Sequence, residues 1–567
     1  MPLHNLLKKP SRRQFVGRGA ALLAAAPLAG CLGGDDEDRP VVFTHGLASG
    51  DPLNDRVILW TRVRALDAAD NTEVPVGWEV ASDAAFTQVV ARGRAVATAA
   101  NDFTVKVDAT GLSAGRSYFY RFSAYTTSSG VGRCKTLPSG DVSQVKLAVF
   151  SCANYPTGYF HAYAEAAKRT DLDAVVHLGD YIYEYAPGGY ASSNAASLNR
   201  TVVPAKEIIS LTDYRQRYAQ YRTDADLQAL HAAHPMIAVW DDHEITNDAW
   251  RDGAENHQAN EGDWVARRNA ALQAFHEWMP IRTGSARDSI YRSFDFGRLL
   301  SLHMLDTRVV GRDLQLDYAN FITQTGFNAA GFTNAISNPA RQLLGTTQQA
   351  WLQQQMVTST ATWQVLGQQV LMGRMNIPAP ILFEAERPGT GVSVSAYGAI
   401  VQKAQTNPAA LTPTERAILA QPSIPYNLDA WDGYAVARET LLGTAAQLRK
   451  NLVVLAGDTH NAWANDLQML NGTPAGVEFA TSSVSSPGFE EYLPNENPQV
   501  LAASLRQLIT PLKYCDTSRR GFMVVTATPA ACRAEWVFVS NILQRSYTAS
   551  VGGAMQVLAG QNRLVAG

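Results

Sequence analysis

Four short clusters in the chain carry residues able to bind metals or move protons: Ser151-Cys152-Ala153-Asn154, Gly179-Asp180-Tyr181-Ile182-Tyr183, Asp241-Asp242-His243-Glu244 and Gly457-Asp458-Thr459-His460. A multi-metal hydrolase needs a carboxylate that bridges two ions, further donors for each ion, and an open position for a hydroxide. Asp180 is the natural bridge. Thiolate and tyrosinate are anionic donors suited to a highly charged ion such as Fe³⁺, although a thiolate alone points to a softer metal. Carboxylate-rich surroundings suit Ca²⁺, Mg²⁺ or Mn²⁺ instead. Singly, each cluster has an ordinary explanation: Asp180 as a helix cap, Tyr183 as a core aromatic, Cys152 as a small buried hydrophobe, and the other two as surface turns.

Position gives the clusters joint meaning. Each follows an unbroken apolar run, at 145–150, 174–178, 236–240 and 452–456. Such runs are the pattern of strands buried on both faces. Further runs at 299–305, 363–370, 477–480, 522–528 and 534–540 complete a two-sheet α/β core, and the helical length at 159–168 makes the first two runs a βαβ unit. In open α/β sheets ligands sit at the carboxyl ends of the strands, where all four clusters fall. Residues 139–545 therefore read as the catalytic domain. Less periodic stretches at 320–342 and 388–425 read as insertions over one face of it. Residues 546–567, with Gly552-Gly553 and few charges, read as a C-terminal tail or lid. Ahead of the catalytic domain, residues 41–138 show short alternating runs broken by turn residues, the pattern of a β-sandwich like a fibronectin or immunoglobulin module.

The 567 residues carry a formal charge of -3 and are 46% apolar, with pI about 6.4. That excludes a disordered, collagenous or disulfide-framed chain and leaves no basic patch for nucleic acid. Ser11-Arg12-Arg13-Gln14-Phe15-Val16 is a twin-arginine pattern followed by an uncharged run too short to span a membrane. Residues 1–31 thus read as an export signal handled by the twin-arginine translocase, and 32–40 as a solvated linker. The signal ends in Leu28-Ala29-Gly30-Cys31, which allows a lipidated Cys31 and a membrane anchor, or else ordinary cleavage and a soluble exported protein at the periplasm, cell surface or beyond. Four further cysteines enter an oxidising compartment, and Cys515 and Cys532 are near enough in sequence to pair.

The ordered set Cys152, Gly179-Asp180-Tyr181-Ile182-Tyr183, Trp240-Asp241-Asp242-His243-Glu244 with Asn247, Leu305-Asp306-Thr307-Arg308, Ala456-Gly457-Asp458-Thr459-His460 and Ser482 to Gly488 resembles the PhoD-like alkaline phosphatase family of calcineurin-like metallophosphoesterases. The resemblance covers nearly the whole chain. It implies a four-layer αββα core behind the β-sandwich and a paired Fe³⁺ and Ca²⁺ site, with Mn²⁺, Mg²⁺ or Zn²⁺ as alternatives at the same ligands. It assigns Cys152, Asp180, Tyr183 and His460 to iron, and Asp180, Asp242 and Asp458 to calcium. In the related purple acid phosphatase pattern both of the last positions are histidines, and Asp458 in place of the first favours calcium. His243 is placed to donate to a phosphoryl oxygen or leaving group, or only to orient Asp242. Asn154, Asn247 and Arg308 are implied phosphate contacts. The activity implied is hydrolysis of phosphate mono- or diesters by in-line attack of a metal-bound hydroxide, in phosphate scavenging. A monomer is expected, although the sequence itself is silent on oligomeric state. The chain has no Walker A loop, GxSxG elbow or Cys-x5-Arg loop for other chemistries. A phospholipase D-like phospholipid diesterase and a catalytically inactive surface-binding protein are the alternatives.

Overall fold

The structure, a computed structural model, describes residues 39–284, 286–323, 326–386 and 389–567. The twin-arginine segment, Cys31 and nearly all of the 32–40 linker lie outside them. Two large sheets organise the rest. The first has ten strands, in spatial order Leu564–Ala566, Ala549–Leu558, Ala531–Val539, Gly521–Ala527, Val145–Phe150, Ala174–His177, Pro235–Ala238, Leu47–Gly50, Arg56–Arg62 and Thr104–Thr110. The second has seven, in the order Arg292–Phe296, Leu300–Met304, Trp363–Gly367, Asn451–Ala456, Pro474–Ala480, Ala462–Gln468 and Leu512–Asp516. The central strands of each are parallel, as the unbroken apolar runs imply, because only strands covered on both faces dispense with polar alternation.

The period-two alternation of a strand decides which layer each side chain joins. Val453 and Leu455 enter a core shared with Leu147, Val149, Val524 and Trp536 of the first sheet. Leu452, Val454 and Ala456 point the other way, into a second core with Leu352, Met356, Leu441 and Leu442 of the helices Gly345–Thr358 and Ala435–Gln447. The sheets therefore pack face to face with helices outside, the four-layer αββα arrangement. The insertions join the second core through Phe332, Val394 and Tyr397.

The N-terminal sandwich forms, but it is not detached. Its second sheet contains Val74–Ala81, Val89–Ala97, Ser117–Ala124 and Gly132–Lys135. Its first sheet is the far end of the ten-stranded one, joined where Leu47–Gly50 runs parallel to Pro235–Ala238. Along Arg56–Arg62, Val57 and Leu59 face the sandwich core while Trp60 faces the catalytic core, where its indole N–H donates to Glu277 O at 2.8 Å. Asp51, nearly fully buried, accepts from the Arg292 guanidinium at 2.7 Å and the Arg282 backbone N–H at 2.7 Å, bolting the same junction.

The C-terminus departs from expectation. Residues 549–558 and 564–566 are edge strands of the ten-stranded sheet, neither a loose tail nor a lid. The glycines that suggested looseness are there for close approach: a Cβ on Gly552 would lie 2.4 Å from the Phe538 ring, and one on Gly553 2.3 Å from the Tyr514 ring. Cys515 and Cys532 sit in different sheets, and both are free thiols.

The cores enclose an unusual number of neutral histidines. Burial pushes His177 down to about 3; burial with Arg62 nearby does the same for His45, and burial with Lys106 nearby for His276, while burial beside Arg133 takes His234 to about 4. Each binds a proton near pH 6.5 once unfolded but resists it when folded, so each contributes a loss of folding stability as pH drops below about 6.5. The slope for each approaches about 1.4 kcal/mol per pH unit only near pH 5, between its folded and unfolded values. The buried carboxylates of the strand ends, such as Glu244 raised by burial to about 8, act in the opposite sense, so a histidine is tested singly: in urea unfolding with chelator present, His276→Gln is expected to change the stability difference between pH 7 and pH 5 in the direction that removes its loss, and an unchanged difference would refute it.

Candidate active site

Every cluster lies just beyond the carboxyl end of a parallel strand: Cys152 after Val145–Phe150, Asp180 after Ala174–His177, Asp242 after Pro235–Ala238, and Asp458 and His460 after Asn451–Ala456. The chain must reverse there without moving the ligands away, and it does so by adopting left-handed backbone conformations. Cys152, Asp180, Asp458 and His460 have φ of 61°, 56°, 58° and 59°. Each costs a non-glycine residue roughly 1–2 kcal/mol. Neighbouring loops hold them in place: Cys152 N donates to Gly179 O at 3.2 Å, Ala153 N to Asp180 O at 2.9 Å, and Val484 N to Ser151 O at 3.0 Å. Gly179, at φ 109°, lets the Asp180 loop touch the Asp241 loop; a Cβ there would fall 2.3 Å from the Asp241 Cβ.

Two groups of donors share Asp180. Ligand atoms of Cys152, Asp180 and His460 all lie within 4.8 Å of one another, as do those of Asp180, Asp242 and His243. Tyr183 completes the first group: its hydroxyl donates to Asp180 Oδ2 at 3.1 Å and lies 3.4 Å from His460 Nε2 and 2.7 Å from Ser486 Oγ. His460 Nδ1 donates to the Pro487 carbonyl at 2.8 Å, which leaves the Nε2 lone pair facing the group. Asp180 Oδ1 is buried and has no hydrogen-bond partner.

A ring of residues outside the donors fixes their positions. Glu244 accepts the backbone N–H groups of Asp180, Tyr181 and Asp241, tying two strand-end loops with one carboxylate. Arg308, fully buried, donates from Nε to Asp241 at 2.5 Å and from Nη1 to Asp429 at 2.9 Å; its Nη2 lies 3.7 Å from Asp242 and 3.6 Å from Asp458. Gln369, beyond the Trp363–Gly367 strand, donates to the carbonyls of Trp240 and Leu305. Glu184 accepts from His243 Nδ1 at 2.7 Å and from Asn247 N, Asn256 Nδ2 and the Thr246 hydroxyl.

The electrostatics are those of a cation site. Burial and the nearby Asp241, Asp242 and Glu244 carboxylates push Asp180 well above the usual carboxylate range, against the pull of His243. Burial with Asp429 takes Asp458 up to about 7, although Arg308 opposes it, and burial with Asp429 and Asp242 takes Asp248 up to about 7. Burial and Asp180 push the Cys152 thiol and the Tyr183 phenol upward. Burial holds the His460 imidazole neutral, down to about 3. Asp242 is the exception: burial would raise it, but Arg308 and His243 hold it below the usual carboxylate range. The other donors, whose ionisation is opposed by burial and by neighbouring charge, are stabilised by a multivalent cation between them, which lowers the pKa of each ligand it meets. The donor set fits metals. His243 differs: burial would neutralise it, but the carboxylates of Glu184, Asp242 and Asp180 hold it well above the usual histidine range.

All ten residues singled out in the sequence come to this region, in different roles. Asp180, Asp242, His243, Asn247, Asp458 and His460 line a cleft of about 500 Å³. Asn247 Nδ2 is engaged by Glu255 at 3.1 Å. Asn154 is buried behind the lining and donates to the carbonyl of Tyr190, which lines the cleft as Asn154 does not. Arg308, expected to meet phosphate, is enclosed among four aspartates, because their like charges cannot be assembled without a buried cation. Sequence reasoning missed Glu184, Asp248 and Asp429. Glu184 follows Tyr183 directly, but its partner is 59 residues away; Asp429 comes from a loop beyond an insertion.

The comparisons with known proteins agree with this geometry. Residues 147–536 match the family model of the PhoD-like phosphatase, and residues 29–138 match that of the PhoD-like phosphatase N-terminal domain. Alkaline phosphatase D of Bacillus subtilis (strain 168) is 36% identical over 510 residues, covering 87% of this chain and 77% of that protein. A solved structure of PhoD superposes with a TM-score of 0.75 at 32% identity, over 92% of each chain.

The contact at Gly179 is directly testable. Gly179→Ala is expected to separate the Asp180 and Asp241 loops and lower metal content and activity together by at least about tenfold, while far-ultraviolet circular dichroism stays unchanged. A variant that keeps full metal content would show that the loop contact does not set the ligand geometry.

Proposed function

The chain belongs to the PhoD-like phosphatase family, and from that premise we propose that it is an exported phosphatase and phosphodiesterase of phosphate scavenging, with iron at Cys152, Asp180, Tyr183 and His460 and calcium at Asp180, Asp242 and Asp458. It is a phosphoric ester hydrolase, metal-dependent like its relatives. The observation that carries the metal reading is the pair of donor groups meeting at Asp180. One side offers thiol, phenol and imidazole, a set suited to iron; the other offers the carboxylates of Asp180 and Asp242 beside His243, with Asp458 outside that group on the same cleft wall, and its carboxylates suit calcium. Bound there, two cations supply Lewis-acid charge and a nucleophilic oxygen at near-neutral pH.

The chain's own residues do the rest. His243 is held by Glu184 through Nδ1, so Nε2 faces the cleft and carries the proton available to a phosphoryl or leaving-group oxygen. Glu184 is itself fixed by three other donors, which keeps the imidazole from turning. Arg308 neutralises part of the acidic cluster from behind and keeps Asp241 and Asp242 in register without touching the cleft. The twin-arginine pattern at Arg12-Arg13 supports export by the twin-arginine translocase, and Cys31 supports a lipid anchor; loss of export in an Arg12→Lys, Arg13→Lys variant and release from membranes in Cys31→Ser are the expected results on cell fractionation.

The first test of the site is elemental analysis of protein purified without added metal, with activity assayed before and after calcium chelation. Near-stoichiometric iron and calcium-dependent turnover are expected; zinc with full activity would overturn the iron assignment. Asp180→Asn is expected to lose both metals and at least about a hundredfold in turnover while remaining folded.

A further inference from the structure

The walls of the cleft are unlike those of a site that reads phosphate with basic side chains. Among its sixteen lining residues there is no lysine or arginine; four are carboxylates, and five are aromatic: Tyr185, Tyr190, Tyr426, Phe489 and Tyr492. The nearest guanidiniums are committed elsewhere, Arg308 to Asp241 and Asp429 and Arg520 to Glu490. Apart from His243, which Glu184 already engages through Nδ1, the lining offers no cationic side chain to a second phosphate or carboxylate on the ester, which would meet the like charge of the aspartates.

The aromatic residues are arranged around the donors. Tyr190 lies beside His460, with ring centroids 6.2 Å apart, and beside Tyr185 at 5.9 Å, which in turn packs on His243 at 5.5 Å. Tyr426 meets Phe489 edge to face at 5.7 Å. Tyr492 links the two groups: it shares the helical turn Phe489–Tyr492, and its hydroxyl donates to the Tyr190 hydroxyl at 3.5 Å. The turn is anchored by Phe489 N donating to Asn461 at 3.1 Å and by the Glu490 pair with Arg520. Yet Tyr492 remains 62% exposed, so most of its ring is not occupied by the fold.

We propose that this rim selects phosphate esters whose alcohol carries an uncharged planar ring, which stacks on Tyr492 with Tyr190, Tyr426 and Phe489 around it. The inference rests on the phosphoesterase reading above and names the substrate class of that site. A cleft of about 500 Å³ accommodates a phosphoryl group with one ring system. A stacked aromatic pair contributes about 0.5–1.5 kcal/mol beyond its buried area, which corresponds to a preference of roughly two- to twelvefold.

The test must separate stacking from leaving-group chemistry and from simple apolarity. Benzyl and cyclohexylmethyl esters of phosphate and of methyl phosphate serve, because both alcohols are aliphatic and similar in size and only one presents a π face. With metal-loaded enzyme, kcat/KM is expected to favour benzyl by roughly three- to tenfold, chiefly through KM. Calorimetric binding of benzylphosphonate should exceed that of cyclohexylmethylphosphonate by a similar factor. Tyr492→Leu should bring both ratios close to one, and Tyr492→Phe, which keeps the ring, should retain them. A nucleoside 5′-phosphate compared with ribose 5-phosphate distinguishes nucleobases from simple aryl groups as the preferred ring. Equal handling of benzyl and cyclohexylmethyl compounds by the unaltered enzyme would overturn the proposal while leaving the phosphoesterase reading intact. Turnover of none of these esters would overturn that reading, and the proposal with it.

Discussion

Several carboxylates brought out of water to one point would repel one another and protonate, and the structure is organised around preventing that. Asp180, Asp241 and Asp242, all buried, and the half-buried Asp458 converge at the strand ends. A single enclosed guanidinium, Arg308, faces three of them together with Asp429, and the backbone N–H groups of His243 and Asp248 reach Asp242. The remaining negative charge is what the metals of this family neutralise. Burial makes the arrangement costly to assemble and also strong, since the same low dielectric that penalises unpaired charge magnifies attraction to a cation.

That requirement explains the strain at the site. Four of the polar strand-end residues stand in left-handed backbone conformations because side chains from separate strand-end loops must aim at one volume while the chain turns away into the next element. The loops support one another through Glu244, Gln369 and the close approach at Gly179, so the geometry is a property of the set of strand ends and not of any one loop. The rigid parallel strands behind them make such mutual support possible.

The N-terminal sandwich belongs to this framework more closely than an accessory module would. Its first sheet continues the catalytic sheet, and Leu47–Gly50 covers the edge that Pro235–Ala238 would otherwise expose. Since Asp242 and His243 follow that strand, the sandwich supports the element that delivers them. At the opposite edge, residues 549–566 extend the sheet, with Gly552 and Gly553 making room for Phe538 and Tyr514.

The strands, their two-face burial and the convergence of polar clusters carrying Cys152, Asp180, Tyr183, Asp242 and His460 at one sheet end were legible in the sequence, because unbroken apolar runs and the residue type after each run are local properties of the chain. The joining of the sandwich to the catalytic sheet, the burial of Arg308 among aspartates, the Glu184 support of His243, the entry of Asp429 and the aromatic rim at Tyr492 were decided only by tertiary structure. In each case the partner lies tens to hundreds of residues away, and what a carboxylate, guanidinium or ring does depends on the charges and surfaces that folding places around it. A Gly-Gly pair likewise looks the same in sequence whether it loosens a tail or admits a neighbouring ring to a strand, because the difference lies in what packs against the missing Cβ.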